Sequence, residues 1–253
     1  MTTDNENRLA LIVGAGNGIG AATARRLARD GLRLALADRD GAAVDRLAEE
    51  LGAAAFPVDI ADPEAVTALF DAVEARCGTV NVLVNTAAIS PMSGDGGPLT
   101  IARTGIDLMR QVIEINTLGT MYLGREFALR ADRAGPQGRV VLLSSSAAQL
   151  GGYRSAVAYI ASKGAVLSFG KGLARELAPL GVTVNCVAPG LIDTPMFRGA
   201  VRPDQDAVAA RAVPLGRIGG AEEVADAIAY LVSPNAAYVT GTTLDVNGGY
   251  YMR

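Results

Sequence analysis

The sequence predicts an α/β fold, a doubly wound parallel sheet of about seven strands with helices on both faces. Short apolar runs alternate with longer amphipathic stretches along the chain. Each short run is apolar at consecutive positions, as expected for strands that are covered by helices on two sides. With half of its 253 residues hydrophobic, the chain can bury a large core. We therefore expect a single domain over residues 1–253.

The elements follow in order along the chain. Strands are predicted at Leu9–Val13, Leu32–Ala37, Ala53–Val58, Val80–Val84, Val140–Leu143, Val182–Val187 and Thr242–Val246. Helices are predicted at Gly18–Arg29, Ala42–Glu50, Pro63–Arg76, Ile106–Leu129, Val157–Leu177 and Ala221–Leu231. Asp62 before Pro63 is typical of a helix start, and Gly52, Gly78 and Gly181 are typical of helix ends.

Two irregular stretches are predicted to carry function. Ser90–Thr100 is rich in Gly and Pro, and Pro189–Gly220 is long and holds four prolines. Long loops in compact domains usually serve as lids or binding loops. Both stretches follow strands, and ligands of such sheets bind at the carboxyl ends of strands. We expect a substrate-binding loop at about residues 189–220.

Composition excludes several classes of function. The net charge is −3 and no basic run suggests a nucleic-acid partner. The polar N-terminus is unlike a targeting segment, and no apolar window approaches the ~20 residues of a membrane span, so a cytoplasmic protein is expected. The absence of histidine excludes a Ser–His–Asp triad and a Cys–His pair. Cys77 and Cys186 fit no metal-ligand spacing, so no metal is expected.

A glycine-rich turn follows the first predicted strand. Gly14, Gly18 and Gly20 lie between that strand and the next helix. Glycines allow the backbone to approach a pyrophosphate, and the helix N-terminus offers N–H groups to phosphates. The spacing departs from the GxGxxG template, which would place glycine where Ile19 stands. A plain tight turn is the alternative interpretation.

The second strand ends near Asp38, where a carboxylate can bind the ribose hydroxyls of a dinucleotide. The same carboxylate would repel the 2′-phosphate of NADP, so NAD is favoured. Arg39 beside it is able to accept that phosphate, so NADP stays open as the second choice.

Tyr159 and Lys163 lie four positions apart, on one face of a predicted helix. A free phenol has a pKa near ~10, too high for a base at neutral pH. An ammonium about 4 Å away is worth ~4 kcal/mol at an effective dielectric near 20, and would lower that pKa. Tyr159 would then exchange a proton with an alcohol or ketone as hydride moves. Taken alone, Tyr and Lys at this spacing occur by chance in many helices.

A run of three serines, Ser144–Ser146, follows the predicted strand Val140–Leu143. A hydroxyl at the carboxyl end of a strand can stabilise charge on a substrate oxygen. The simpler interpretation is that serines begin a loop.

Taken together, these motifs resemble the short-chain dehydrogenase/reductase family, over essentially the whole chain and in order. Further stretches that resemble the family are Val58-Asp59-Ile60, Asn85-Thr86-Ala87-Ala88, Asn116 within Glu114–Thr117, Pro189-Gly190 with Ile192 and Thr194, and Asp245–Gly249. Val13 departs from the family pattern, because it replaces a threonine whose hydroxyl ties the glycine turn to a neighbouring loop. Ala88 replaces a glycine, and Asn247 replaces an aspartate.

The resemblance implies a Rossmann-type oxidoreductase with a catalytic tetrad of Asn116, Ser146, Tyr159 and Lys163. Tyr159 would be the acid/base, Lys163 would lower its pKa and bind the nicotinamide ribose, and Asn116 would position a water. The family's serine usually lies thirteen positions before the tyrosine, which selects Ser146, whereas counting from Gly138 selects Ser145. Cofactor contacts are expected from Gly14, Asn17, Gly18, Ile19, Gly20, Asp38, Arg39, Asp59, Ile60, Asn85, Ala87, Tyr159, Lys163, Pro189, Gly190, Ile192 and Thr194. The family is commonly tetrameric, so a homotetramer is expected.

The predicted substrate is a small, apolar or cyclic secondary alcohol or ketone, because its expected lining is Met92, Leu150, Tyr153, Met196 and Phe197. Arg154, Arg198 or Arg202 would instead favour a carboxylate or an acyl carrier. Two alternatives stay open: a 3-oxoacyl-type reductase of fatty-acid or polyketide synthesis, and a non-catalytic dinucleotide-binding regulator. The complete tetrad argues against the regulator. Asp38 and the net charge argue against the reductase.

Overall fold

In the computed structural model, which describes residues 7–92, 99–152 and 155–252, seven strands form one parallel sheet. The strands are β1 (Leu9–Val13), β2 (Arg33–Asp38), β3 (Ala54–Pro57), β4 (Val80–Asn85), β5 (Arg139–Leu143), β6 (Thr183–Pro189) and β7 (Thr243–Val246). Their order across the sheet is β3-β2-β1-β4-β5-β6-β7. The chain therefore winds one way from β1 and then the other, which confirms the predicted doubly wound fold.

The helices lie between the strands in sequence. They are α1 (Gly18–Arg29), α2 (Gly41–Leu51), α3 (Pro63–Cys77), α4 (Ile106–Ile113), α5 (Thr120–Ala128), α6 (Ala131–Ala134), α7 (Ala147–Leu150), α8 (Val157–Leu177), α9 (Pro195–Arg198), α10 (Asp206–Ala210) and α11 (Ala221–Val232). The side chain of Asp62 caps α3 as predicted, accepting hydrogen bonds from Glu64 N and Ala65 N. Gly52 ends α2 at φ 63°, a conformation that favours glycine.

Two apolar layers enclose the sheet. Alternate residues of β1 point to opposite faces, so Leu9 and Leu11 join a core with α3, α5 and α8. Ala10 and Ile12 instead join a core with α1, α2 and α11. Burial on both faces explains why the strands are apolar at consecutive positions.

Two predicted elements differ in the structure. The helix predicted over Ile106–Leu129 is divided by a π-helical turn at Glu114–Gly119. The stretch Pro189–Gly220, predicted to be irregular, contains α9 and α10 as well as a two-residue parallel ladder between Ile192–Asp193 and Gly219–Gly220. Most of the predicted loop Ser90–Thr100 lies outside the described residues.

Within the described ranges, no helix combines the length and apolarity that crossing a membrane would require.

Candidate active site

A cleft of about 570 Å³ opens at the carboxyl edge of the sheet. It is lined from the ends of β1, β2, β4, β5 and β6, and from the stretch that holds α9 and α10. This is where the two halves of the sheet wind in opposite directions, the place where such folds bind ligands. The volume lies within the range of small-molecule sites.

The glycine-rich turn lines one end of the cleft and leads into α1 at Gly18. The first turn of α1 holds no acidic residue, so its N–H groups and partial positive charge remain suited to phosphate. Asp38 at the end of β2 accepts hydrogen bonds from Gly16 N (2.8 Å) and Asp40 N (2.9 Å). These bonds fix its carboxylate beside the turn. The arrangement fits a dinucleotide, with N–H groups for phosphates and a carboxylate for ribose hydroxyls.

At the other end of the cleft, Tyr159 in α8 lies against the end of β5. It is only 9% exposed yet lines the cleft. Burial raises the pKa of its phenol above the ordinary value, and a hydrogen bond with the Ser145 side chain opposes that shift. Desolvation disfavours the phenolate, whereas a donor stabilises it. Tyr159 is therefore a protonated acid at neutral pH, with a hydroxyl partner at the same point of the cleft.

Ser145 and the predicted Ser146 both line the cleft, and the Ser145 side chain is the one that affects the pKa of Tyr159, so the structure favours Ser145. Ser144 at the strand end faces α8, where its hydroxyl donates to Lys163 O (2.8 Å). Ser146 already has helical dihedral angles (φ −56°, ψ −30°) and is the N-cap residue of α7. Counting back thirteen positions from Tyr159 reaches Ser146, whereas Ser145 lies one position further back. Counting along the strand from Gly138 gives the serine that the structure favours.

Lys163 shares the cleft with Tyr159, as their spacing predicts, but its electrostatic role differs from the prediction. The residue is 3% exposed, and its ammonium donates a hydrogen bond to Leu143 O (2.7 Å). Burial lowers the pKa of Lys163 to about 8. No lowering of the Tyr159 pKa by Lys163 accompanies this arrangement; burial dominates, and the phenol pKa is raised. The lysine is thus a buried cation at the cleft whose charge titrates close to neutral pH.

Asn116 and Asn85 were both predicted to be site residues, but neither lines the cleft. Asn116 lies in the π-helical turn and is fully buried; its Oδ1 accepts from Ile89 N (2.8 Å) and its Nδ2 donates to Ile89 O and Ser162 Oγ. Asn85 donates from Nδ2 to Thr120 Oγ1 (2.9 Å) and accepts from Ala87 N (3.1 Å). Both amides therefore hold the loop after β4 in place, and the π-helical turn that contains Asn116 is of a kind often found at functional sites.

The remaining predicted cofactor contacts come together in the cleft. Apart from Asn85, the lining includes every predicted contact, namely Gly14, Asn17, Gly18, Ile19, Gly20, Asp38, Arg39, Asp59, Ile60, Ala87, Tyr159, Lys163, Pro189, Gly190, Ile192 and Thr194. These residues span most of the sequence, and the common strand ends bring them to one edge.

The far end of the cleft is apolar. Met92, Met196 and Phe197 line it as predicted, whereas Leu150 does not. Tyr153 and Arg154 lie outside the described residues. Arg198 binds Asp193 through Nε (2.7 Å) and Asp206 through Nη1 (2.5 Å). Its guanidinium is therefore turned to these carboxylates and does not line the cleft.

Sequence reasoning missed several lining residues. Apolar surface is added from before, within and just after α10 by Val201, Val208, Ala209 and Ala212. The sequence indicated them only through their position inside the long stretch 189–220, which was predicted to bind substrate. Thr86 also lines the cleft, and it lay unassigned within a stretch already singled out after β4.

Comparisons with known proteins agree with this geometry. A family described as enoyl-(acyl carrier protein) reductase matches residues 14–251. The chain is 36% identical to the 3-oxoacyl-[acyl-carrier-protein] reductase FabG of Escherichia coli (strain K12), covering 98% of each chain. It is 40% identical to galactitol 2-dehydrogenase (L-tagatose-forming) of Cereibacter sphaeroides, over 95% of this chain and 94% of that one.

Solved structures show the same fold. The 3-ketoacyl-(acyl-carrier-protein) reductase from Brucella melitensis, complexed with NADH, superposes with a TM-score of 0.90 at 30% identity. The match covers 98% of this chain and all of that chain.

Proposed function

This chain belongs to the short-chain dehydrogenase/reductase family, and on that premise we propose that it is an NAD-dependent enzyme that interconverts a neutral, largely apolar secondary alcohol and its ketone. The observation that carries the proposal is the buried Tyr159, which lines one cleft together with Ser145 and Lys163. A proton donor and a second hydroxyl at one point suit a substrate oxygen whose charge changes during reaction.

The chemistry of reduction needs one hydride and one proton. The glycine-rich turn and Asp38 would hold a nicotinamide dinucleotide, which would supply the hydride in reduction and accept it in oxidation. Tyr159 gives its phenolic proton to the carbonyl oxygen as that oxygen becomes an alkoxide. Ser145 donates a hydrogen bond to the same oxygen. Lys163 holds a positive charge beside the cleft floor, anchored on Leu143 O. Oxidation runs these proton movements in reverse.

The pKa shifts favour reduction near neutral pH. Because burial raises the pKa of Tyr159, the phenol keeps the proton that it must donate. Lys163, with a pKa of about 8, is charged below that pH. Oxidation requires Tyr159 to accept a proton, so its rate should rise with pH until Lys163 loses its charge.

Asp38 supports NAD rather than NADP as the cofactor. Its carboxylate lines the cleft and is fixed by Gly16 N and Asp40 N. A fixed negative charge repels a 2′-phosphate and accepts hydrogen bonds from free ribose hydroxyls. Arg39 lines the same end and would favour NADP, so a measured preference for NADP would assign this role to Arg39.

The substrate class follows from the lining of the lid stretch, residues 189–220. Met196, Phe197, Val201 and Val208 present apolar surface to the cleft. The guanidinium of Arg198 is engaged by two carboxylates, so it is not offered to an anionic substrate. A neutral substrate with an apolar substituent fits this surface.

A 3-oxoacyl reductase is the second candidate, and the similarity to FabG over 98% of the chain favours it. The same apolar end would then hold an acyl chain. An acyl-thioester substrate and a free ketone place the same oxygen against Tyr159, so only turnover separates the two candidates.

We also propose that the protein acts in the cytoplasm and that it assembles as a homotetramer. Apolar side chains are exposed on α4 and at the start of α8, notably Ile106 and Val157. A second copy covering this surface would bury them. Sedimentation equilibrium should give four times the chain mass of 26.0 kDa.

The test is a panel of secondary alcohols, ketones and 3-oxoacyl thioesters, followed at the nicotinamide absorbance with NADH and with NADPH. Tyr159→Phe should lower kcat by about 10²–10⁴ while leaving the Kd for NADH near the wild-type value. Tyr122→Phe is the matched control, since Tyr122 packs on the core away from the cleft lining. Retained turnover in Tyr159→Phe, or no turnover of any panel member by the wild type, would overturn the proposal.

A further inference from the structure

We propose that Thr86 is a positioning residue, which sets the phosphate-binding turn in its binding conformation by tying it to the loop after β4. The inference rests on the proposed function, because it assumes that this turn holds a dinucleotide. Neither the reaction chemistry nor the cofactor contacts described above involve Thr86, although it lines the cleft.

The contacts of Thr86 join the ends of two neighbouring strands. Its N–H donates to Val13 O (2.8 Å). Its Oγ1 lies 2.9 Å from Val13 O and 3.0 Å from Gly14 O. A hydroxyl has one proton, so these two carbonyls share it. The end of β4 is thereby fixed to the last residue of β1 and the first residue of the turn.

Gly14 and Gly20 lie so close to this hydroxyl that a side chain at either position would contact it. A Cβ atom on Gly14 would lie 2.7 Å from Thr86 Oγ1, and a Cβ on Gly20 would lie at the same distance from it. A Cβ on Gly20 would also lie 2.0 Å from Gly14 O. The turn closes tightly only because these positions lack side chains. Thr86 Oγ1 fills the space that remains between the turn and the first residues of α1.

This link determines where the N–H groups of the turn point. Gly14 has φ 81°, a conformation that favours glycine. The peptide that joins Gly14 to Ala15 is held at both of its polar atoms: the Ala15 N–H donates to Ala37 O (3.0 Å), and the Gly14 carbonyl faces the Thr86 hydroxyl (3.0 Å). The Val13 side chain is apolar and adds no hydrogen bond of its own, although the Val13 carbonyl accepts from Thr86. The side-chain tie between the turn and the loop after β4 therefore comes from the Thr86 hydroxyl.

A binding site that is held in place before the ligand arrives loses less entropy when the ligand binds. Removing the hydroxyl should therefore weaken dinucleotide binding more than it disturbs the chemistry at Tyr159. A residue that only fills space would instead lower stability and leave affinity unchanged.

The experiment measures the Kd for NADH by fluorescence titration and the Tm for Thr86→Val, Thr86→Ser and wild type. Thr86→Val replaces the hydroxyl by a methyl group, whereas Thr86→Ser keeps the hydroxyl. Thr86→Val should raise the Kd roughly tenfold, and Thr86→Ser should stay within about twofold of the wild type. In turnover, the KM for NADH should rise in Thr86→Val while kcat changes little.

Thr240→Val is the control. Thr240 Oγ1 accepts from Val184 N (3.1 Å) at the amino end of β6, and Thr240 does not line the cleft. This variant should lower Tm and leave the Kd for NADH unchanged. Should Thr86→Val not fold, Thr86→Ala removes the same hydroxyl without adding a methyl group.

Two outcomes would overturn the inference. An unchanged Kd in both hydroxyl-free variants would show that Thr86 only fills space, and a loss in Thr86→Ser equal to that in Thr86→Val would assign the effect to side-chain shape. A wild-type protein that binds no NADH would overturn the proposed function itself. NADH binding by the wild type with an unchanged Kd in the variants would overturn only the role of Thr86.

Discussion

The buried ammonium of Lys163 makes a measurable prediction about stability and pH. The side chain is 3% exposed, and burial lowers its pKa from 10.5 to about 8. The perturbation is Lys163→Met, which keeps a long flexible side chain and removes the charge. Lys171, an exposed residue on the same helix α8 and the only other lysine of the chain, provides Lys171→Met as the matched control.

The size of the effect follows from the pKa difference. A fall from 10.5 to about 8 corresponds to about 3 kcal/mol. Between these two pH values the unfolded state binds more protons at Lys163 than the folded state, so the free energy of unfolding rises with pH. The penalty for burying the charge is complete below pH 8 and has disappeared above pH 10.5. Lys163→Met carries no such penalty at any pH.

The assay is urea unfolding followed by circular dichroism, at one protein concentration and at several pH values from 7.5 to 10.5. The stability advantage of Lys163→Met over wild type should shrink by about 3 kcal/mol across this range, whereas Lys171→Met should track the wild type throughout. Parallel curves for wild type and Lys163→Met would refute the reasoning, because they would mean that the folded protein leaves the lysine pKa unchanged.

Three further outcomes are expected. Ser145→Ala should lower kcat by about 10²-fold and Ser146→Ala by far less; the reverse order in steady-state turnover would restore Ser146. Asp38→Ala should raise the ratio of kcat/KM with NADP to kcat/KM with NAD by about tenfold, and Asp38→Asn tests whether the charge or the hydrogen bonding of the carboxylate is responsible. An unchanged ratio in both variants would show that Asp38 does not set the cofactor preference. Arg198→Gln leaves the carboxylates of Asp193 and Asp206 without their cation, so the KM for an apolar ketone should rise a few-fold while the Kd for NADH stays unchanged; an unchanged KM would show that this ion pair does not shape the substrate end of the cleft.

The sequence alone predicts the layers of this fold because strand burial has a simple signature. A strand that is covered on both faces must be apolar at consecutive positions. In β1, from Leu9 to Val13, all five residues are apolar and all five are buried in the structure. The helix starts and ends are equally local. Asp62 accepts hydrogen bonds from the first turn of α3, and Gly52 takes a left-handed conformation after α2.

Other features depend on atoms that are distant in sequence. The π-helical turn around Asn116 is stabilised by hydrogen bonds to Ile89, twenty-seven residues earlier, so the local pattern predicts one continuous helix. The choice between Ser145 and Ser146 depends on how the chain leaves β5 relative to α8, which spacing along the sequence does not reveal.

Electrostatics marks the clearest division. Residue types and spacing place Tyr159 and Lys163 on one helix face, because helical geometry depends only on sequence separation. The direction of each pKa shift is decided by burial and by the partners that folding supplies, Ser145 for the phenol and Leu143 O for the ammonium. Desolvation arises only when the folded chain closes around a charge. The tertiary structure therefore decides that the pKa of Tyr159 is raised, so that it keeps its proton, and that the pKa of Lys163 is lowered.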